Sequence, residues 1–518
     1  DQGFIMAYLI GVDVGTTGAK TILVDEDGTL VASALQEYPL STPRPKWSEQ
    51  DPEDWVQGTI ATIRSVLSVS GVNPADVKGL GFSGQMHGLV LLDESHAVLR
   101  PAILWNDVRT TEQCYEITET VGRQTLVEET CNPALEGFTA PKVLWVREHE
   151  PEVYDRARHI LLPKDYVRFR FTGDLAMEVS DAAGTLLFNV RERRWSKTVL
   201  DALQIPTEWM PPAYESVDVC GKVTASVAEE TGLAEGTPIV GGGADNACSA
   251  VGTGIVSEGL VSASLGTSGV VLAHTDTPLV DPDLRAHTFC HAVPDRWYTM
   301  GVMLSAAGAF RWFRDALGAE EIARAEAEGV DPYELLTQRA EQAPVGSEGC
   351  IFLPYLAGER TPHADANARG VYFGLSLRHG KNEITRATME GITYGMRDSL
   401  EIIRDLGVDV THITATGGGA RSEFWRQMQA DIYDATVTTI NQAEGPALGA
   451  AILAGVGTGV YDSCESATDA LISPTTENRP AMENVPIYDE YYGVYQDLYH
   501  ALSPQFDDVA DIVDRVTR

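Results

Sequence analysis

The sequence predicts an α/β fold divided into two similarly built domains, and three observations carry that expectation. At 518 residues the chain exceeds what one hydrophobic core ordinarily serves. Apolar, β-favouring runs alternate with segments of helical spacing, the pattern of layered α/β structure. One motif also occurs twice, about half a chain apart. "YLIGVDVGTTGAK" (8–20) and "GLVSASLGTSGVVLA" (259–273) each run as a strand into a glycine-flanked Thr-Thr or Thr-Ser tip and out into a second strand. The repeat puts a boundary near residue 254 and the two domains at 6–254 and 255–518.

Taken in order, residues 7–14 and 20–25 read as strands around the first tip, and "DEDG" (25–28) turns the chain into a third strand. The caps and apolar spacing of 50–68 predict a helix. "VKGLGFSGQMHGLVLLD" (77–93) is a strand, a glycine-rich loop and a strand, and "DAAGT" (181–185) is expected to be a loop. "TPIVGGGADNACSAVGTG" (237–254) is a strand that breaks into glycines before a helix. After the second hairpin, "THITATGGGARSEFWRQMQADIY" (411–433) reads as strand, triple glycine, helix.

Composition narrows the function classes. Acidic residues number 75 against 38 basic ones, a net charge of −37, and only eight of the basic residues are lysine. So negative a surface repels nucleic acid and anionic lipid. It fits an acidic enzyme kept soluble by charge, or, given the scarcity of lysine, a halophile-like chain whose self-repulsion is screened by salt. No run of about 18 apolar residues predicts a membrane span. The seven cysteines are scattered and never spaced C-x-x-C, which predicts reduced, buried thiols and a cytoplasmic protein.

The repeated tips suggest a ligand. A tight turn of Gly, Thr and Ser presents backbone N–H groups and hydroxyls with little bulk, a concavity suited to phosphate oxygens. Two such tips facing each other across an interdomain cleft can hold different phosphates of one nucleotide. Asp13 stands two residues before Gly15, whereas Ser264 holds the equivalent place in the second tip. A lone carboxylate there suits Mg2+, held largely through water. Against this stands the plain reading that each tip is only a hairpin turn, where glycine is expected anyway. No G-x-x-x-x-G-K-[ST] run is present, so a P-loop is excluded.

These residues resemble the FGGY carbohydrate kinases of the actin/hexokinase-like superfamily. "GFTAPKVLW" (137–145) and "GVYFGLSLRHGKNEITRATMEG" (370–391) are similar to the two family signatures, and "GGGAR" to its adenosine segment. "GFSGQMHG", "RPAILWNDVR", "LLPKDYVRFRFTGD", "SDAAGT" and "FLPYLAGERTPH" resemble the members that phosphorylate xylulose. The resemblance implies two ribonuclease-H-like domains hinged about a central catalytic cleft, with ATP and Mg2+ as cofactors and D-xylulose as substrate. It further implies a protein with neither nucleic-acid nor membrane partner, acting as monomer or homodimer.

The resemblance places the general base on Asp245 in "GGGADN", where an ordinary carboxylate pKa is expected to suffice; a helix-capping role for this Asp stands beside it. Sugar contacts carry over to Met86 and His87 in "GQMHG", to Asp245 and to Asn246. "LWNDVR" is expected to close the pocket, with Trp105 as a wall and Asn106 and Asp107 as polar candidates. The nucleotide is expected on Thr16, Thr17 and Lys20 of the first tip, Gly266, Thr267 and Ser268 of the second, and Gly418, Gly419 and Ser422 of "GGGARS", with Asp13 at the metal. Two other readings remain: a family member acting on L-ribulose, gluconate or glycerol, and a non-enzymatic nucleotide clamp of the actin or chaperone kind.

Overall fold

The computed structural model describes residues 6–516; residues 1–5 and the last two residues of the expected second domain lie outside the described residues. Two seven-stranded sheets organise the chain. In the first, β1 (Tyr8–Val14), β2 (Gly18–Asp25) and β3 (Leu30–Glu37) form an antiparallel meander. Helix α1 (Pro52–Ser70) begins where the Asp51 carboxylate accepts the Glu53 N–H at 2.9 Å and ends at Gly71 in the left-handed region. It packs on β2 and β3 and leads to β4 (Val77–Gly84), parallel to β1. After helices α2 (Thr139–His149) and α3 (Val179–Ala183) come β5 (Val219–Lys222), β6 (Pro238–Val240), β7 (Gly243–Ala244) and α4 (Asp245–Gly252). The sheet order is β5-β6-β4-β1-β2-β3, with β7 also paired to β4.

The second sheet repeats this plan. Strands β8 (Val261–Leu265), β9 (Gly269–Thr275), β10 (His287–Cys290) and β11 (Trp297–Met303) are antiparallel. Helices α5 (Ala307–Leu317), α6 (Pro332–Glu341) and α7 (Lys381–Asp405) follow, then β12 (His412–Gly417), parallel to β8. Helix α8 (Glu423–Tyr433), strand β13 (Thr436–Ile440), helix α9 (Gly445–Gly457), strand β14 (Pro474–Asn478) and helix α10 (Val485–Val516) complete the chain. The order β10-β11-β9-β8-β12-β13-β14 matches the first sheet's progression from an antiparallel meander to parallel strands and an antiparallel edge.

Helix α9 follows the second sheet in sequence but packs on β1 and β4 of the first and across α4. The approach is main chain on main chain. A Cβ at Gly11 of β1 would stand 1.9 Å from the Ala447 carbonyl oxygen, and one at Gly449 would stand 1.8 Å from that of Cys248. Central strand β1 thus has α1 on one side and α9 on the other, and its Leu9, Ile10, Val12 and Val14 are all fully buried.

Where "DAAGT" predicts a loop, the chain forms the short helix α3 instead. The buried Glu178 carboxylate accepts the N–H groups of Ser180 (2.6 Å) and Asp181 (2.9 Å), an N-cap supplied by a residue outside the short stretch. All seven cysteines are buried and form no disulfide among the described residues. Among those residues no helix is long and apolar enough to cross a membrane.

Candidate active site

Strand register alone carries two carboxylates to one edge. Asp13 of β1 lies opposite Ser83 of β4, and Ser83 opposite Gly243 of β7. One step on, Val14, Gly84 and Ala244 form the next row, and Asp245 follows as the first residue of α4. Both aspartates therefore sit at the carboxyl ends of parallel strands, where α/β sheets receive their ligands. Burial raises the Asp13 carboxyl to about 6, against the opposing pull of the Ser83 hydroxyl and the Lys20 ammonium. Its Oδ1 is buried without a hydrogen-bond partner.

Asp245 departs from the ordinary carboxylate pKa that the sequence led us to expect. Burial lifts it to about 7, the Asp13 charge adds to the rise, and the Asn246 N–H, 2.7 Å from Oδ1, works against it. The N-cap position of α4 belongs to Ala244, so the Asp245 side chain is not the helix cap.

The sugar loop is built beside this edge. The Asn246 side-chain amide donates to the Met86 sulfur at 3.6 Å, joining the start of α4 to "GQMHG". His87 adopts a left-handed backbone (φ 68°), and its Nδ1 lies 2.6 Å from the Gly184 carbonyl. A carbonyl only accepts, so Nδ1 carries the proton and Nε2 presents a lone pair. Burial, with the Lys142 and Arg360 charges, lowers the His87 pKa to about 3, so the ring is a neutral acceptor. Phe138 packs against it, ring centroids 4.7 Å apart.

Trp105 is 44% exposed and donates from Nε1 to Thr16 Oγ1 at 2.9 Å, holding it against the first tip. Its neighbour Asp107 is committed elsewhere. The Asp107 carboxylate is fully buried, accepting the Ser48 N–H at 2.6 Å and pairing with Arg109 at 2.6 Å, so it is a strut of its own loop; Asn106 is exposed.

The nucleotide candidates divide. A cavity of about 780 Å³ in the second half is lined by Gly266, Thr267, Gly418, Gly419 and Ser422. Thr16, Thr17, Lys20 and Ser268 are not on that lining: the first three belong to the opposite tip, and Ser268 is on the exposed second tip. A Cβ at Gly417 or Gly419 would strike Leu265 within 2.5–2.8 Å, whereas one at Gly418 finds nothing nearer than 3.9 Å. Gly417 and Gly419 thus lie tight against Leu265, and of the three only Gly418 has free space where a Cβ would stand, while Gly418 and Gly419 both line the cavity. Ser422 caps α8, its Oγ accepting the Trp425 N–H at 3.2 Å. Lys20 forms an ion pair with Glu444 at 2.5 Å, next to the start of α9. Arg311 of α5, which spacing gave no reason to single out, lines the cavity and donates to Thr267 Oγ1 at 3.0 Å.

Sequence reasoning also missed the support beneath the site. Ser180 Oγ donates to Glu178 at 2.7 Å and accepts the Ala244 N–H at 2.9 Å, fixing the residue before Asp245. Four residues on, Gly184 fixes His87. Under α3, the buried Lys164 ammonium meets Asp165 (2.8 Å), Glu178 (2.9 Å) and Asp181 (2.7 Å). Burial opposes the Lys164 charge, but the three carboxylates together hold its pKa above the ordinary value; burial pushes Asp181 well above its own. His287 of β10, whose Nδ1 lies 2.9 Å from Asn132 Oδ1, faces Phe138 across 5.9 Å. The links from Ser180 to Ala244, from His87 to Gly184 and from His287 to Asn132 join residues far apart in the chain, and no local spacing announces them.

Residues 8–252 match the model of the FGGY family of carbohydrate kinases, N-terminal domain, and residues 261–458 match its C-terminal domain. The chain is 44% identical over 494 residues to a xylulose kinase of Bacillus subtilis, covering 95% of this chain and 97% of the relative. It is 44% identical over 446 residues to a xylulose kinase of Escherichia coli, covering 86% and 89%. Among solved structures, that of a xyloylose kinase from Brucella ovis superposes with a TM-score of 0.88 at 35% identity, covering 96% of this chain and all of the other.

Proposed function

The chain belongs to the FGGY family of carbohydrate kinases, and from that premise we propose that it transfers the γ-phosphoryl group of ATP to the 5-hydroxyl of D-xylulose, giving D-xylulose 5-phosphate and ADP. The observation that carries this reading is the pair of half-buried carboxylates, Asp13 and Asp245, brought by register to one strand edge beside a neutral His87. The 44% identity to xylulose kinases over nearly the whole chain favours xylulose over L-ribulose, gluconate or glycerol, and membership of a kinase family favours an enzyme over a nucleotide clamp.

In this reading residues 6–254 hold the sugar and the first phosphate tip, and residues 255–518 hold the second tip and the adenosine. His87 Nε2 accepts from a sugar hydroxyl, Asn246 donates to a sugar oxygen, and Met86 and Trp105 wall the pocket. Asp245, ionised above about pH 7, takes the proton of the attacking hydroxyl. The new bond joins that oxygen to the γ-phosphorus as the bond to the β,γ-bridging oxygen breaks and ADP departs; positioning and charge neutralisation supply most of the acceleration.

Thr16 and Thr17 on one side, and Gly266, Thr267 and Ser268 on the other, offer N–H and hydroxyl groups to the phosphates. Lys20 can join them on leaving Glu444. Gly418, Gly419 and Ser422 seat the adenosine. The unpartnered Asp13 Oδ1 fits Mg2+, a cation that takes few protein ligands and keeps water and phosphate oxygens. When bound, Mg2+ neutralises the charge of the phosphates. Seven buried, unpaired thiols and the acidic surface support a cytoplasmic enzyme without nucleic-acid or membrane partner, and the reading takes it to act as monomer or homodimer.

A coupled ADP-release assay over D-xylulose, L-xylulose, D-ribulose, L-ribulose, gluconate and glycerol tests the reading. D-xylulose is expected to give the highest kcat/KM; a higher value for any other member of the panel overturns the substrate, and no turnover with any overturns the activity.

A further inference from the structure

The stretch "GFTAPKVLW" (137–145) is similar to a family signature, yet the chemistry above uses none of its residues. In the fold it opens helix α2 directly against the sugar loop. Phe138 stands at the N-cap of α2 without a capping side-chain bond, its ring centroid 4.7 Å from that of the His87 imidazole. In the first turn the Ala140 N–H donates to the Thr185 carbonyl at 2.9 Å, and Pro141 has no N–H to give. Thr139 and Lys142, three residues apart, share one face of the helix. Both donate to a single atom, the His87 carbonyl oxygen: Thr139 Oγ1 from 3.0 Å and Lys142 Nζ from 3.1 Å. Lys142 also donates to the Gly137 carbonyl at 2.6 Å.

This is a costly way to hold a main-chain oxygen. Among the described residues Lys142 and Lys164 are the fully buried lysines. Lys164 is met by three carboxylates, whereas Lys142 has two carbonyls and forms no ion pair among the described residues. Burial pulls the Lys142 pKa down to about 7, with the Asp107 charge opposing the fall. A buried cation without a carboxylate contributes little to stability, so its place here has another reason. The residue it holds supplies one. His87 is a non-glycine residue in the left-handed region (φ 68°), a conformation that persists only where the surroundings fix it. The Gly184 carbonyl fixes the ring at Nδ1, 2.6 Å away, and α2 fixes the main chain; together they set the direction of Nε2.

We propose that Thr139 and Lys142 are positioning residues that hold the His87 main chain so that Nε2 faces a sugar hydroxyl, and that they act on the reaction only through His87. The T-x-x-K spacing then has a purpose: one helical turn brings a hydroxyl and an amine to the same oxygen. The inference rests on the functional reading above, which gives His87 its sugar contact, and adds the two side chains that aim it.

The test measures KM for D-xylulose and for ATP in Lys142→Met, Thr139→Val and Thr139→Ser, and in the first two combined with His87→Ala. Lys142→Met keeps the length of the side chain and removes its donors; Thr139→Val keeps the shape and removes the hydroxyl. Each is expected to raise KM for D-xylulose about 5- to 10-fold, the contribution of one hydrogen bond, with KM for ATP within about twofold of the parent. Thr139→Ser, which keeps the hydroxyl, should leave KM for D-xylulose within about twofold of the parent. Beside His87→Ala, either change should add less than about twofold, whereas a general loosening of the fold adds its full effect in both backgrounds. If Lys142→Met does not fold, the Thr139 variants decide: a KM raised by valine and spared by serine upholds the inference, and equal values for the two overturn it. A parent chain that phosphorylates no pentulose overturns the functional reading and this inference with it. A parent that turns over D-xylulose, with KM unchanged in both single variants or with effects that add fully to that of His87→Ala, overturns the positioning role alone.

Discussion

The two hairpins of this molecule are alike in path and unlike in charge. In each, a strand runs out and back with a glycine N–H bonded across the tip at 3.1 Å, from Gly15 to Gly18 and from Gly266 to Ser268. Each first strand also pairs in parallel with a later strand. The difference lies in one row of the sheet. Across the first hairpin that row reads Ser83, Asp13, Lys20; across the second it reads Thr416, Ser264, Val270. The first tip carries a carboxylate held above its ordinary pKa by burial, and the second carries only neutral groups in that row. In the proposed reading, side chains two residues from the turn divide a duplicated backbone between a cation and neutral hydrogen bonding.

The largest expected effect comes from the residue that follows the first sheet's last strand and has no counterpart role in the second half. Asp245→Asn should lower kcat by about 10²–10⁴-fold with the fold intact, because an amide accepts no proton; activity within a few-fold of the parent sinks the assignment. The same variant sharpens a second point. A carboxyl whose folded pKa is about 7, against an ordinary 3.8, binds more protons folded than unfolded, so its ionisation destabilises the fold as pH rises between those values. Asp245→Asn should therefore raise Tm at pH 8 and much less at pH 4, and an equal shift at both would refute the burial account.

Next in size, Asp13→Ser makes the first tip resemble the second. The magnesium requirement should rise at least about 10-fold, since even outer residues of metal sites are worth that much, while KM for D-xylulose is spared. An unchanged magnesium curve with a lowered Tm would leave Asp13 a hairpin residue only. A subtler shift belongs to the same variant. With the Asp13 charge gone the Asp245 anion is easier to form, so the acid limb of kcat/KM, near pH 7 in the parent, should move to lower pH; a limb that stays put would mean the two carboxylates do not sense each other. The smallest effect is the reciprocal change. Ser264→Asp should raise KM for ATP several-fold by repelling phosphate without creating a second metal site, and a gain in magnesium affinity would break the division of labour outright.

Much of this was legible in the chain. The hairpin repeat, the strand-to-helix glycines before Asp245 and the glycines before Ser422 are local signals, written within a dozen residues, and the structure has strands and helices where they read so. The cap that makes "DAAGT" the end of a helix, Glu178, stands just before it, but glutamate is not an expected N-cap residue. What else stayed hidden was non-local. Asp107 looked available because Ser48, whose N–H its carboxylate accepts, approaches only in the fold. The raised pKa of Asp245 needs its burial and the Asp13 charge, contributed by a strand more than two hundred residues earlier. Spacing reports what a segment is, and partners decide what a side chain does.

The contact of α9 with β1 and α4 has a mechanical meaning. Where side chains interlock, two bodies slide only by jumping from one fitted arrangement to the next. Here backbone lies on backbone at Gly11, Gly252 and Gly449, and around those contacts the Leu448, Ile452 and Leu453 side chains of α9 enter one buried core with Leu9, Ile22 and Val251 of the first half. A keyed joint of this kind holds the helix to the first sheet at one spacing and one angle, so that a larger residue at any of the three glycines would have to part the elements rather than turn a rotamer.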